Sequence, residues 1–297
     1  MKPNISVPEP TVNSPALPAD PGSGDGGDPV YILDIPVSPW TPEGLIQAMV
    51  QQAGGGTSPL GEAPAIVLYA NIHVMNEAYR NPHLREQLKS AGTVYCDGSG
   101  VRLGARILGA SLPPRLTAAD WLDALCEKAA REGIRLFLMG GADGVAANAA
   151  DVLKERHSKL EIAGTHHGFL DPKSSRRAVD AMNGSGAALV LVGMGTPKQE
   201  AWIEEWRDEI EAPVIWAVGA LLDFVAGVQR RAPRWMAENH LEWLWRFGTD
   251  PVRLGRRYVL GNPLFLARAM GQRLSSRRTH VETIDQGVEP RVRSDQE

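Results

Sequence analysis

The chain has 297 residues, of which 43% are hydrophobic, so it can bury a core in one large domain or two small ones. Its formal net charge of −4 excludes a dedicated nucleic-acid binder, because such a protein needs a dominant basic field to attract phosphates. The two cysteines form no disulfide framework, no Cys/His cluster has zinc-ligand spacing, and neither a signal peptide nor an apolar run of membrane-spanning length is present, which predicts a cytoplasmic protein without a metal.

The N-terminal part combines a low-complexity leader with the first predicted elements. Residues 1–29 are rich in Pro, Gly, Ser and Asp, and such a composition buries too little apolar surface to offset the entropy of ordering, so we predict a disordered leader. The apolar run Tyr31–Val37 predicts a strand. Thr41-Pro42-Glu43 then predicts a helix start with a hydroxyl N-cap and Pro at the first position, and Gly54-Gly55-Gly56 predicts its end.

From residue 64 onward, short apolar runs alternate with longer helical stretches. The runs are AIVLYAN, TVYCDG, IRLFLMGG, EIAGTHHG, ALVLVGMG and VIWAVGA. This alternation predicts an α/β fold over residues 30–228, a Rossmann-like parallel sheet flanked by helices. In such sheets ligands bind outside the carboxyl ends of the strands, so the residues that end these runs are the candidates for chemistry.

The composition changes after Val228. Residues 230–278 contain eleven arginines against three acidic residues, interleaved with Trp, Phe and Tyr. We predict a basic helical appendage over residues 229–272 that docks on a membrane, because arginines attract anionic headgroups and aromatic rings enter the headgroup boundary. Packing of this segment on its own body, or an oligomer interface, is the alternative. Residues 273–297 are predicted to be a disordered tail.

Two strand ends offer groups for binding a phosphate or a sugar. Gly140 and Gly141 form a turn before a helix, which suits either a phosphate cradle or a purely steric connection. After the apolar run ALVLVGMG, Thr196-Pro197 begins a predicted helix. Lys198, Gln199 and Glu200 fall in the first turn of that helix. Lys198 is a candidate phosphate ligand and Gln199 a candidate partner of a sugar hydroxyl or base, whereas the alternative is a capping box closed by Glu200.

The candidate catalytic group is Asp97, which follows a strand and precedes a glycine turn. A carboxylate there suits a general base acting on an acceptor hydroxyl, and its alternative role is to cap the next helix. Asn71 and His73 end the preceding strand and line the same cleft, although a lone His is more often a neutral, hydrogen-bonded residue. Arg115 suits a bidentate phosphate or carboxylate clamp, or a surface pair with Asp120.

Four motifs follow one another along the chain: Asp97-Gly98-x-Gly100, Arg115-Leu116-Thr117, Gly195-Thr196-Pro197-Lys198-Gln199-Glu200-x-Trp202, and the run from Arg231-Ala232-Pro233-x-Trp235 through Leu241-Glu242-Trp243-Leu244-x-Arg246 to Arg256-Arg257-Tyr258. Together they resemble the WecG/TagA/CpsF family of glycosyltransferases, also called glycosyltransferase family 26. The resemblance covers most of the chain outside its two ends.

The resemblance implies an inverting transfer from a UDP-sugar, without an essential metal or another cofactor. It also implies an acceptor sugar on polyprenyl diphosphate at the cytoplasmic membrane face, as in cell-surface or exopolysaccharide biosynthesis. By position, it implies Asp97 as catalytic base and Gln199 as a pocket residue. The appendage arginines that it implies for completing the site and contacting diphosphate are Arg246, Arg253 and Arg256.

Two positions depart from the family pattern. Tyr69 stands two residues before Asn71, where the family usually has Thr, and Ala118 stands where Gly is usual. We count Tyr69 among the residues that contact substrate, and the sugar stays open among N-acetylmannosamine, its uronic acid, glucose and glucuronic acid. The rival hypotheses are a nucleotide-dependent oxidoreductase, for which a complete glycine fingerprint is not evident, and a non-catalytic nucleotide-sugar-binding scaffold at the membrane.

Overall fold

A two-stranded antiparallel hairpin lies near the start of the described residues, where the sequence predicts a single strand at Tyr31–Val37. Strand β1 (Val30–Ile32) turns at Leu33 and Asp34 and returns as β2 (Ile35–Val37). Leu33 and Asp34 have φ angles of 50° and 67°, the left-handed conformation that closes a two-residue hairpin. The single-strand prediction is wrong because this turn contains none of the usual glycine or asparagine signals.

The computed structural model describes residues 26–113, 116–229, 232, 236, 244–245, 248, 255 and 259–285. Beyond the hairpin, its strands are β3 (Ala65–Ala70), β4 (Thr93–Cys96), β5 (Leu136–Gly140), β6 (Ile162–His166), β7 (Leu189–Gly193) and β8 (Val214–Ala217). Its helices are α1 (Pro42–Ala53), α2 (Ile72–Arg80), α3 (Pro82–Ser90), α4 (Ser99–Leu108), α5 (Ala118–Glu132), α6 (Val145–Arg156), α7 (Pro172–Ser185), α8 (Lys198–Trp206), α9 (Leu221–Val225) and α10 (Gly261–Asp285).

The six later strands form one parallel sheet in the order β4-β3-β8-β7-β5-β6. The predicted α/β fold is therefore confirmed. From β5 the chain continues to β6, the neighbour of β5 on one side. From β7, the neighbour of β5 on its other side, the chain continues in the opposite direction to β8. The carboxyl ends of β5 and β7 thus form a topological switch point, where open α/β sheets leave a crevice for ligands.

Helices cover both faces of this sheet. Side chains along each strand alternate between two apolar clusters, as in β7, where Leu189 and Leu191 belong to one cluster and Val190 and Val192 to the other. The first cluster includes residues of α1, α5, α6 and α9, and the second includes residues of α2, α3, α4, α7, α8 and α10. Because helices cover both faces of the sheet, most polar side chains lie at the strand ends.

The predicted start of the first helix is confirmed. Thr41 is the N-cap of α1, and its Oγ1 accepts a hydrogen bond from the Gly44 backbone N–H over 3.1 Å. Pro42 occupies the first helical position, where its missing N–H leaves no hydrogen bond unmade.

Helix α10 packs on the body, against α2 and α4. The buried Phe265 ring lies over Gly104, where an added Cβ would approach the ring to 2.6 Å. Arg268 Nη1 donates to Asn76 Oδ1 over 2.6 Å, and Asn76 Nδ2 donates to the Gly261 carbonyl over 2.7 Å. The Asn76 side chain of α2 therefore hydrogen-bonds two residues of α10.

The same helix also contacts the N-terminal hairpin. Gln272 Oε1 accepts from the Leu33 N–H over 2.8 Å, and Gln272 Nε2 donates to the Tyr31 carbonyl over 3.1 Å. Arg273 Nη1 donates to the Ile107 carbonyl, near the end of α4, over 2.7 Å. These contacts join the last described helix to the first strands of the chain.

Helix α10 extends past residue 272, so the boundary that the sequence suggests between appendage and tail lies inside it. For this helix, the structure agrees with the alternative prediction, in which part of the basic segment packs on the rest of the protein. Among the residues that the structure describes, no helix combines the length and apolarity that crossing a membrane requires.

We expect Phe265→Ala to lower the free energy of unfolding by about 3–5 kcal/mol, because it empties a fully buried site between α10 and α4. Urea denaturation followed by circular dichroism measures the change. The matched control is Leu274→Ala on the same helix, whose side chain is 54% exposed. Equal midpoints for the two variants would contradict the docked position of α10.

Candidate active site

The crevice at the switch point is built from glycine backbone. An added Cβ on Gly140 would lie 2.3 Å from the Gly193 carbonyl oxygen, and one on Gly168 would lie 3.0 Å from the Gly140 Cα. The Gly141 N–H donates to the Gly193 carbonyl over 3.1 Å. Only glycines allow β5, β7 and the segment after β6 to approach so closely.

Four helices that directly follow strands of the sheet have no side-chain cap. Within the described part of the chain, α4, α6, α8 and α9 start after Gly98, Gly144, Pro197 and Ala220, and none of these residues caps its helix through a side chain. By contrast, Thr41, Asn71, Asn81 and Asp171 cap α1, α2, α3 and α7. The positive dipole end of an uncapped helix favours an anionic ligand nearby.

Asp97 follows β4 at the same edge and is half-buried. Its backbone N–H donates to the Ala70 carbonyl over 2.9 Å, which extends the pairing of β3 and β4 by one residue. The N-cap of α4 is Gly98, with a φ of 95° and no side-chain bond, so the structure does not support the alternative in which Asp97 caps α4.

Asn71 orients the Asp97 carboxylate. Asn71 Oδ1 accepts from the Val74 N–H over 3.1 Å and so caps α2, which turns its amide nitrogen toward Asp97. Asn71 Nδ2 then donates to Asp97 Oδ2 over 3.3 Å. One helix cap thus fixes both the amide and the carboxylate beside it. His73 lies in the first turn of α2, close in sequence to this pair, and is half-buried.

Gln199 lies below the cleft in a closed hydrogen-bond network. Its side chain is fully buried, and its Oε1 accepts from the Gly219 N–H over 3.0 Å. Its Nε2 donates to Glu200 Oε1 over 2.8 Å and to Tyr69 Oη over 3.3 Å. All the hydrogen-bonding groups of this amide are therefore engaged by the protein. Thr196 Oγ1 adds a second bond to Glu200 Oε1 over 2.8 Å.

The capping box that the sequence allows at this turn does not form. Helix α8 begins at Lys198, as predicted, but Glu200 bonds the Thr196 side chain rather than closing on an N-cap backbone N–H. Lys198 itself is exposed in the first turn. It therefore points its ammonium group into solvent next to the uncapped end of α8.

Burial controls the protonation of this network. Burial raises the pKa of Tyr69 to about 12; the charge of Glu200 adds to this rise, and hydrogen bonds with Thr196 and Gln199 oppose it. Burial likewise raises the pKa of Glu200 above its usual range. Tyr69 is therefore a neutral phenol near neutral pH, able to donate a hydrogen bond. Burial also raises the pKa of Cys96 to about 12, so this thiol beside Asp97 is not a nucleophile.

The structure brings most of the predicted site residues to one edge of the sheet. Tyr69, Asn71, His73, Asp97, Gly140, Gly141, Lys198, Gln199 and Glu200 all lie at or just after the carboxyl ends of strands. Arg115, Arg246, Arg253 and Arg256 lie outside the described residues. In the described part of the chain, no group of three or more His, Cys, Asp or Glu side chains could hold a metal ion.

Sequence reasoning missed two participants. Gly219, just after β8, supplies the N–H that anchors Gln199, and an added Cβ there would lie 2.7 Å from Tyr69 Oη. Thr196 was interpreted only as a helix start, although its hydroxyl bonds Glu200. The signal that could have found Gly219 is a glycine directly after an apolar run, the same pattern that points to Gly140 and Gly141.

The chain is similar to known proteins over most of its length. A model of the Glycosyl transferase WecG/TagA/CpsF family matches residues 30–279. The chain is also 30% identical, over 216 residues, to a Bacillus spizizenii protein named N-acetylglucosaminyldiphosphoundecaprenol N-acetyl-beta-D-mannosaminyltransferase. The aligned part covers 73% of this chain and 82% of that protein.

We expect Gly140→Ala to lower the free energy of unfolding by about 1–3 kcal/mol, because the new methyl group overlaps the Gly193 main chain. Thermal or urea denaturation measures it. Gly184→Ala in α7 is the matched control, since nothing lies within 4 Å of its added Cβ, and it should stabilise the protein by about 0.5–1 kcal/mol. A Gly140→Ala variant as stable as the native chain would disprove the close approach of β5 and β7.

Proposed function

Because the chain belongs to the WecG/TagA/CpsF family of glycosyltransferases, we propose that it transfers a sugar from a UDP-sugar to a sugar carried on polyprenyl diphosphate, with inversion and without a metal. The name of the Bacillus spizizenii relative suggests N-acetylmannosamine as the transferred sugar and lipid-linked N-acetylglucosamine as the acceptor. Membership of a transferase family also favours this reaction over the oxidoreductase and scaffold hypotheses.

The observation that carries the proposal is the state of Asp97. Its carboxylate lies at the ligand-binding edge, does not cap α4, and is oriented by an amide that a helix cap fixes. A general base needs this combination of access and fixed direction, because proton transfer depends on hydrogen-bond geometry. Asp97 is therefore the base of the proposed mechanism.

In the proposed reaction, Asp97 removes the proton from the acceptor hydroxyl. The resulting oxygen attacks the anomeric carbon from the face opposite UDP, so a new carbon–oxygen bond forms while the bond to the diphosphate breaks. UDP leaves with the electron pair of that bond, and its negative charge needs donors that are already in place. Inversion follows from the single displacement.

The donors for the leaving diphosphate come from the backbone and from cations. The N-terminus of α6, after Gly140 and Gly141, and that of α8, with Lys198, are the supports that this edge offers. We assign Arg115, Arg246, Arg253 and Arg256 to the same task, because a guanidinium group presents a rigid fork to phosphate oxygens. This assignment rests on their positions in the family motifs.

The remaining predicted site residues form the wall of the sugar pocket. Asn71 and His73 lie beside the base, and the half-buried Tyr69 precedes them on β3. Tyr69 occupies the place of the usual Thr, so we propose that its neutral phenol contacts the transferred sugar. Gln199 lies buried beneath this wall and supports it through its hydrogen bond to the Tyr69 hydroxyl.

We propose that the enzyme acts at the inner face of the cell membrane and docks there through the basic segment and α10. The support is twofold: residues 230–278 are rich in arginine, and the outer surface near α10 exposes apolar side chains at Val259, Leu260, Met270 and Leu274. Arginines near an anionic surface contribute about 1 kcal/mol each, and apolar side chains enter the headgroup boundary. Such docking brings the active site to its lipid-linked acceptor.

Asp97→Asn should lower kcat by about 100- to 10,000-fold, the contribution that a general base makes, because the amide cannot accept the proton. UDP release in the presence of lipid-linked acceptor measures the rate, with the four UDP-sugars named above as donors. UDP binding by calorimetry should remain near the native value. Asp151→Asn, an exposed carboxylate on α6, is the control. Native turnover in Asp97→Asn would remove Asp97 from the role of base.

A second test concerns the membrane. Met270→Glu combined with Leu274→Glu should reduce flotation with phosphatidylglycerol vesicles, because it places carboxylates on the face proposed to enter the bilayer. Deleting the segment is unsuitable, since it would uncover the surface that Phe265 buries. Phe169→Glu changes an equally apolar, 72% exposed side chain outside the segment and should float like the native chain. Unchanged flotation of the double variant would contradict docking through α10.

A further inference from the structure

Glu200 is a buried carboxyl group whose two oxygens have unequal surroundings. Its side chain is only 3% exposed. Oε1 accepts hydrogen bonds from Thr196 Oγ1 and Gln199 Nε2, each over 2.8 Å, whereas Oε2 is buried and has no hydrogen-bond partner among the described residues. A buried ionised carboxylate with one bare oxygen would be strongly unfavourable, so this geometry suits a neutral acid.

The two bonds to Oε1 determine how Gln199 is placed. The Gln199 amide has two N–H donors, and Glu200 Oε1 receives one of them while Tyr69 Oη receives the other. Its oxygen is held by the Gly219 N–H. Without the acceptor at Glu200, a buried N–H would lack a partner, and rotation of the amide would break the bond to Tyr69.

Tyr69 connects the hydrogen-bond network of Glu200 and Gln199 to the cleft. Its ring is half-buried, its hydroxyl lies against Gly219, and it precedes the Asn71 that orients Asp97. The hydroxyl accepts from Gln199 and also hydrogen-bonds Thr196, whose own proton goes to Glu200, so the phenol proton of Tyr69 is directed to Thr196. The orientation of the hydroxyl therefore depends on Gln199 and Thr196, and both of these side chains bond Glu200 Oε1.

We propose that Glu200 is a positioning residue for sugar transfer: acting through Gln199, it sets the orientation in which the Tyr69 hydroxyl meets the transferred sugar. The inference rests on the proposed sugar transfer and assigns Glu200 a role without direct contact to substrate. It also gives a role to a carboxyl group that is buried in the first turn of α8.

The protonation state of Glu200 supports this role. Burial raises its pKa above the usual range, and the hydrogen bonds from Gln199 and Thr196 oppose that rise only in part. A neutral Glu200 still offers Oε1 as an acceptor, and Gln at this position would offer the same acceptor with the same shape. The conservative variant should therefore restore what an apolar one loses.

The test compares Glu200→Met, Glu200→Gln and Glu205→Met. Glu200→Met keeps the volume but removes the acceptor, and should lower kcat about tenfold, the equivalent of one lost hydrogen bond, with little change in KM for the acceptor. Glu200→Gln should stay within about threefold of the native kcat, because it retains the acceptor. Glu205→Met, on the exposed side of the same helix, should leave kcat unchanged.

A double-variant cycle separates positioning from general destabilisation. In a Tyr69→Phe background, Glu200→Met should lower kcat no further, because both changes act through the same hydroxyl. Thr196→Val is the milder companion if Glu200→Met folds poorly, since it removes one donor to Glu200 while keeping the branched shape. It should also lower kcat, and likewise have no added effect in the Tyr69→Phe background.

A spectroscopic readout does not depend on turnover. The chain has five tyrosines, and the Tyr69 ring 13Cζ resonance in tyrosine-labelled protein can be assigned by its loss in Tyr69→Phe. This resonance should shift in Glu200→Met and Thr196→Val, and stay near its native position in Glu200→Gln and Glu205→Met. An unmoved resonance in Glu200→Met, or additive loss of kcat in the double variant, would overturn the proposal. Shifted resonances in a protein inactive with every donor would instead reject the sugar transfer and leave the network intact.

Discussion

The constraint on which the structure depends is that its main sheet is parallel and covered by helices on both faces. Every residue of β7 is buried, as is every residue of β4, β5 and β8. Such strands hold a polar side chain only where a partner is buried with it, as Trp40 is with Thr93 and Trp216 with Tyr95. The candidate site residues lie instead at or just after the carboxyl ends of the strands.

The same edge has a part that faces the proposed ligand and a buried part whose side chains hydrogen-bond one another. Helix α2 is capped by Asn71, and the cap serves a second purpose by orienting Asp97. The helices that follow β4, β5 and β7 begin without side-chain caps, and the positive ends of their dipoles favour an anion there. In the buried layer, Gln199 bonds Glu200, Tyr69 and the Gly219 N–H, and so supports the proposed reacting groups.

The C-terminal helix ties this arrangement to the rest of the chain. Helix α10 packs on α2 and α4, the two helices that begin immediately after the Asn71 and Asp97 positions. Its inner face is anchored by Phe265 and Arg268, while its outer face exposes Met270 and Leu274. Helix α10 therefore contacts the helices next to the proposed base on one side and exposes apolar side chains on the other.

The sequence by itself determined the α/β class, the order of the main elements and the strand ends where site residues lie, because periodicity, caps and glycine turns are local signals. It also pointed to Asp97 and Gln199 through motif resemblance. Only the tertiary structure decided that the Tyr31–Val37 run is a hairpin, that Asn71 orients Asp97, and that Gln199 faces inward to Gly219 rather than outward to the cleft. These features depend on contacts between residues far apart in the chain, such as Gln199 and Tyr69, 130 positions apart, and no local pattern encodes such a contact.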